Sequence, residues 1–278
     1  MRLYFAFIAI ISASLPHAGA EDVSSALAAN PANSPAVPAQ SAEQSKADGS
    51  NALFAAIGRG DTASVKSMLH EGTDPNAPLP VPVDPEVAQI FRQNVLGYFL
   101  GGESNLMPLM AAAALGHREI VELLLAKGAN PEAHTKRYGT NALWLAGYTG
   151  QTEIMKILLG VTPGSEADRM TIEVDITAQT ATLIIDKMPG TPVPISSGRK
   201  GHATPKGEFV VTNKHRYWSS TLYHAPMPFY LRLSCRDFGL HAGELPGYPA
   251  SHGCIRMKKK DAEEFFSRVP VGTLVVIK

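Results

Sequence analysis

The amino-acid sequence predicts a multidomain protein: an all-α helical repeat array followed by a mostly-β domain. Three observations predict it. Glycines 60, 116 and 150 each separate two helical stretches with matching apolar patterns. After residue 169 the texture changes to short runs that alternate β-formers with polar residues. The charge changes sign at the same place. Residues 21–169 carry 10 Lys+Arg against 16 Asp+Glu, and residues 170–278 carry 14 against 9. The net charge of zero over 278 residues hides that division. It also lacks the global basic signature of a nucleic-acid binder, so none is expected as a partner.

At the start, Arg2 precedes the apolar run LYFAFIAIISASLP, and Ala18 and Ala20 sit in the small-x-small arrangement of a cleavage site. Residues 1–20 read as a secretory signal peptide. The apolar run, about 13 residues, is short of the roughly 20 that span a bilayer. No membrane-spanning segment is expected after cleavage, and the mature protein is expected in an exported compartment. Residues 21–50 are rich in Ala, Ser, Pro, Asn and Gln and lack aromatics, so they are expected to be a disordered tether.

Residues 51–160 hold the repeats. Ala-rich stretches end at Gly60, Gly116 and Gly150, and each is followed by a second helix with apolar residues at i, i+3 and i+4, such as Ile120, Leu123 and Leu124. Gly72 and Gly128 fall where a helix C-cap belongs. The pattern resembles ankyrin repeats: Gly116 and Gly150 are 34 residues apart, near the roughly 33 of that family. The family's TPLH start reads MPLM at 107–110 and NALW at 141–144. The resemblance implies an all-α ankyrin-repeat solenoid that grips a partner protein. Residues 77–104 form an insertion whose middle is expected to be a short helix. Residues 161–169, VTPGSEADR, read as a polar linker.

Residues 170–278 form the second domain. MTIEVDITAQTATLIIDK reads as a hairpin turning at Ala178-Gln179. TPVPIS, GEFVVTN, FYLRLS and TLVVIK read as further strands, and KKKDAEEFFSRV as one helix. The segment Lys214–Tyr230, rich in aromatics and histidines, is a candidate lid.

The chemistry concentrates in Ser251–Met257, SHGCIRM. Gly253 lets the backbone approach a ligand, and nearby amides can make an oxyanion hole. In an extended segment His252, Cys254 and Arg256 share a face. Positive neighbours favour the thiolate, and an imidazole can take the thiol proton. Proximity alone favours His252 as that base. Three other readings of Cys254 stand beside the nucleophile: a disulfide with Cys235, a zinc site with His241 and His252, and an inert buried thiol. Ser197–Lys200 also fits S-x-x-K, though in a Gly-rich loop rather than at a helix start. His202, His215 and His224 read as surface or packed residues.

The domain resembles the L,D-transpeptidase (YkuD) catalytic domain, in PISSGRKGHATPKGEFVV, FGLHAGELPGYP and SHGCIRM. A histidine 13 residues before the Cys of S-x-G-C-I-R carries the likeness. It implies a β-sandwich-like fold, a Cys254 nucleophile and His241 as base, oriented by the Ala242 carbonyl. It further implies that Ser251, His252 and Gly253 line the pocket, with the Gly253 and Cys254 amides as oxyanion donors. Arg256 would hold a carboxylate or the loop. The implied activity is an exported cysteine acyl transfer on peptidoglycan stem peptides in the Gram-negative periplasm, with no metal or organic cofactor. The acyl acceptor is a second stem, water or a lipoprotein lysine. Two other classes compete: a partner-binding ankyrin protein with an inactive wall domain, and a metallohydrolase.

Overall fold

The computed structural model describes residues 38–278, apart from 102–104, 138, 221–222 and 235–237. The expected signal peptide and residues 21–37 lie outside the described residues. Every helix pair expected from the glycine register is present. Helix α1 (Pro38–Arg59) precedes α2 (Thr62–His70), α4 (Pro108–Leu115) precedes α5 (Arg118–Ala126), and α6 (Ala142–Thr149) precedes α7 (Thr152–Leu158). Gly116 and Gly150 cap α4 and α6 in the left-handed region, at φ 80° and 75°. A side chain there would be strained, which is why the repeat recurs on glycine. Helix α4 packs on α6, and α5 on both α2 and α7. The turns are tied across repeats: the Asn76 side chain accepts from the Asn130 N–H at 2.8 Å and donates to the Gly128 carbonyl at 2.9 Å.

Helix α1 takes in residues 38–50, the end of the stretch expected as a disordered tether. The Ala-, Gln-, Glu- and Lys-bearing residues there are adequate helix formers. They extend a helix anchored by the buried Leu53, Phe54 and Ile57, and Ser50 donates to the Pro78 carbonyl at 2.9 Å. Within the insertion, α3 (Pro85–Phe91) is the expected short helix, capped by Asp84 with Pro85 at its start. It buries Val87 and Phe91, and Phe91 meets Phe54 edge-on at 6.2 Å. A 3₁₀ helix, Val95–Gly101, follows and packs on α4.

The β half begins at Met170. Strand β1 (Met170–Asp175) pairs antiparallel with β2 (Thr180–Ile185) in the expected hairpin, with Gln179 at φ 53° in the turn. β4 (Val193–Ser196), β5 (Gly207–His215), β6 (Tyr230–Leu233) and β9 (Leu274–Ile277) match the other expected strands, and α9 (Lys259–Arg268) the expected helix. Three short strands lie outside the sequence expectations: β3 (Met188–Pro189), β7 (Gly239–Ala242) and β8 (Ile255–Met257). The sheet order is β1-β9-β5-β6-β7-β8-β4-β2-β3, and the added β1–β2 pairing closes it on itself. The interior is filled by inward residues of alternating strands, among them Ile172, Val174, Leu231, Leu240, Ile255 and Val275. α9 lays Ala262 and Phe265 on this core.

Residues 40–278 form one compact unit with two cores. Val210 of β5 belongs to the helical core rather than the strand core. A Cβ on Gly147 of α6 would strike the Ser234 carbonyl at the end of β6. Thr152 donates to Glu208 at 3.3 Å. The stretch 161–169, expected as a polar linker, is packed instead. It contains the short helix α8 (Glu166–Arg169), buries Ala167, and sets Val161 against Gly272. Arg169 reaches Asp186 with two nitrogens, at 2.7 and 2.6 Å.

Candidate active site

The cysteine loop is held by hydroxyls. Ser251, buried, accepts from the Gly253 N–H at 3.1 Å and donates to the Cys254 carbonyl. Gly253 sits at φ 120°, which a side chain would disfavour. A second loop straps the first. The Thr204 hydroxyl donates to the Gly253 carbonyl at 2.8 Å and accepts from the Gly198 N–H at 2.8 Å. The Ser251 N–H donates to the Ser197 carbonyl, and the Arg199 N–H to the Ser251 carbonyl, both at 3.0 Å. Gly198 has no room for a Cβ, which would overlap the His202 carbonyl. The Ser-Gly and Thr-Pro positions of SSGRKGHATP are therefore structural: they immobilise the loop that carries the sulfur.

His241 comes from β7, which runs parallel to β8 with His241 opposite Arg256. Leu240, Ala242, Ile255 and Met257 point into the core, so alternation sends His241 and Arg256 to the other side. Cys254, half-buried just before β8, continues that side, and all three line one cavity. The cavity holds about 450 Å³. Ser251 and His252 also line it, and Arg232 adds a second guanidinium to that of Arg256. The candidate lid supplies the opposite wall through Trp218, Ser220, Tyr223, Ala225, Met227 and Tyr230. It is a folded-back loop: the Met227 N–H donates to the Trp218 carbonyl at 2.8 Å, and the Phe229 N–H to the Arg216 carbonyl at 3.0 Å.

The electrostatics of the two imidazoles differ. His241 is buried, and its Nδ1 lies 2.8 Å from the Ala242 carbonyl. A carbonyl only accepts, so Nδ1 carries the proton and Nε2 keeps its lone pair. Burial lowers the His241 pKa from 6.5 to about 4, with the Arg256 charge adding to the effect and the Ala242 hydrogen bond opposing it. The ring is neutral at pH 7 and able to accept a proton. His252 is exposed, and its Nε2 lies 2.7 Å from Arg199 Nη2. That nitrogen is occupied by an N–H donor, so proximity in sequence does not make His252 the better base.

Two expectations change. The Gly253 amide, expected as an oxyanion donor, is engaged by Ser251 and buried. The loop turns tightly on its own serine. Gly253 and Ala242 shape the site from behind rather than lining it. Ser197, the serine of S-x-x-K, is buried and bonded to Gln179 Nε2 at 2.7 Å, away from the cavity. Of the other histidines, His202 packs edge-on to His252, His215 lies against Trp218 at 4.5 Å, and His224 is exposed. Cys235 lies outside the described residues. Among the described residues, no three His, Cys, Asp or Glu side chains cluster to hold a metal ion.

Residues 169–277 match the family described as the L,D-transpeptidase catalytic domain, YkuD. Residues 169–277 carry an L,D-transpeptidase-like domain. The L,D-transpeptidase domain follows ankyrin repeats, matched over residues 87–170; the first helix pair precedes that match. The YkuD L,D-transpeptidase of Bacillus subtilis is 37% identical over 109 residues, covering 38% of this chain and 64% of its own. L,D-transpeptidase 3 of Mycobacterium tuberculosis is 28% identical over 102 residues, 31% of this chain and 38% of that protein. The chain thus spans less than two thirds of the length of these relatives. A crystal structure of an L,D-transpeptidase from M. tuberculosis aligns with 26% identity and a TM-score of 0.38, over 40% of this chain and 57% of that one.

Proposed function

We propose that this protein is an exported cysteine acyl transferase that acts on peptidoglycan stem peptides in the periplasm. The observation that carries the reading is the pairing, in one cavity, of Cys254 with a neutral imidazole whose Nδ1–H is committed to Ala242. His241 Nε2 takes the thiol proton, and the sulfur attacks the carbonyl at the L-centre of the third residue of a tetrapeptide stem. The tetrahedral oxyanion forms beside the Cys254 N–H. Its collapse returns the proton from His241 to the departing amine, D-alanine leaves, and a thioester remains on Cys254. An amine then attacks the thioester, loses its proton to His241, and releases the thiol. A second stem as acceptor yields a cross-link between third residues. Water as acceptor makes the enzyme an L,D-carboxypeptidase, and a lipoprotein lysine yields anchoring.

Arg256 is half-buried in the cavity and has no acidic partner among the described residues, so it suits a carboxylate of the stem. The ankyrin repeats, arranged as an all-α solenoid, would serve a periplasmic protein partner. The test is mass spectrometry after incubation with a tetrapeptide muropeptide and, separately, with a carbapenem. An acyl adduct on Cys254, lost in His241→Ala and retained in His252→Ala, is the expected result. An adduct lost only in His252→Ala would reverse the roles of the two rings. No adduct with either reagent would sink the acyl-transfer reading.

A further inference from the structure

The His252 ring is held from three sides. Arg199 Nη2 lies 2.7 Å from Nε2. Tyr223, from the lid segment, stacks on the ring at 4.3 Å and 30°. His202 meets it edge-on at 4.7 Å and 67°. A guanidinium has N–H donors and no acceptor, and it does not lose its proton in proteins. Nε2 must therefore present its lone pair to Arg199. A neutral imidazole carries its proton on the other nitrogen, so the ring is the Nδ1–H form. A second proton on this ring is opposed by desolvation first, and then by the charges of Arg199, His202 and Arg256. The Nδ1–H has no acceptor among the described residues, and His252 lines the cavity two residues from the sulfur.

We propose that His252 is a hydrogen-bond donor, through Nδ1–H, to a carbonyl or carboxylate oxygen of the peptide bound beside Cys254, and that Arg199 is the positioning residue that fixes this tautomer. The inference deepens the acyl-transfer reading and rests on it. It assigns His252 a fixed proton that is offered rather than taken. Arg199 is built for the task, because its own N–H is tied to the Ser251 carbonyl and its loop is the strap of the cysteine loop. A shift of the nucleophile loop therefore carries donor and lock together.

The first test reads the tautomer directly, by ring-nitrogen NMR on histidine-labelled full-length protein. The His252 signals are those missing from His252→Asn. The proton is expected on Nδ1, with mixed tautomers in Arg199→Met. A proton on Nε2, or no change in Arg199→Met, overturns the lock. Adding the tetrapeptide stem to Cys254→Ala should shift the His252 Nδ1–H signal; an unmoved signal overturns the donor role without requiring turnover. The kinetic test uses geometry. The Asn amide nitrogen sits at the place of Nδ1, and that of Gln nearer Nε2. His252→Gln should lose about tenfold in kcat/KM and His252→Asn several-fold less, and Arg199→Lys should recover most of what Arg199→Met loses. Equal losses in Asn and Gln count against the proposal. Both side chains are exposed, and circular dichroism checks that the variants fold. If the wild type forms no Cys254 adduct, the acyl-transfer reading fails, while the NMR results still decide the tautomer.

Discussion

His241 should make the protein sensitive to acid in a calculable way. Its pKa is about 4 in the folded state and near 6.5 unfolded, because burial penalises the charged ring. The unfolded chain therefore binds a proton first as the pH falls. The native state is at full advantage above pH 6.5, loses it between 6.5 and about 4, and loses no more below. At 1.36 kcal/mol per pKa unit the whole span is worth about 3 kcal/mol. About 1 kcal/mol has gone by pH 5.5 and about 2.5 kcal/mol by pH 4.5. His241→Gln removes the titrating ring and should flatten that part of the profile. The assay is urea unfolding of wild type and variant at pH 7.0, 5.5 and 4.5. His252 and His117, whose pKa values are also lowered, remain in both proteins and cancel in the difference. If the two stability curves stay parallel across this window, His241 is not buried and neutral, and its role as a poised base loses its physical ground.

Further outcomes follow from the same geometry. Thr204→Val removes the hydroxyl that joins Gly198 to Gly253 while keeping its volume; it should cost about 1–3 kcal/mol in chemical denaturation and slow Cys254 acylation. Arg256→Met should raise KM for a stem peptide about tenfold or more, with a smaller effect on kcat, because it removes a charge-assisted contact; an unchanged KM would remove Arg256 from peptide binding. Leu240→Ala, directly beside His241 in the closed sheet's core, should lower stability by about 2–5 kcal/mol, read by thermal melting. Gly147→Val should destabilise through the seam between the helices and the strands, since its new side chain meets the Ser234 backbone rather than a flexible side chain.

Much of this architecture was legible because its signals are periodic. Glycine at each helix junction fixed the repeat register, and alternation marked β1, β2, β5 and β9. The two strands that border the cavity are not legible. β7 and β8 are four and three residues long, too short for a period to emerge. β7 is buried throughout and reads as GLHA, with no β-branched residue. The parallel pairing of the two sets His241 beside Arg256 across a gap in sequence that no local pattern encodes. The choice of His241 over His252 as candidate base rests on resemblance in the sequence, and the Ala242 contact gives that candidate a physical reason. Arg199 is not legible because a surface arginine in a Gly-rich loop looks like solvent-facing charge until its partner, His252, is seen. The helix over residues 38–50 is not legible because composition is a local measure. Helix propagation from Leu53 and Phe54 is not.

Val210 carries a consequence for anyone dividing this protein at Met170. An excised strand domain would leave the apolar Val210 of β5 bare to water, beside the Ser234 carbonyl that Gly147 of α6 covers in the whole chain. Such a fragment should be less soluble than the whole chain unless that flank is redecorated with polar groups, because the repeats cover that side of the strand domain.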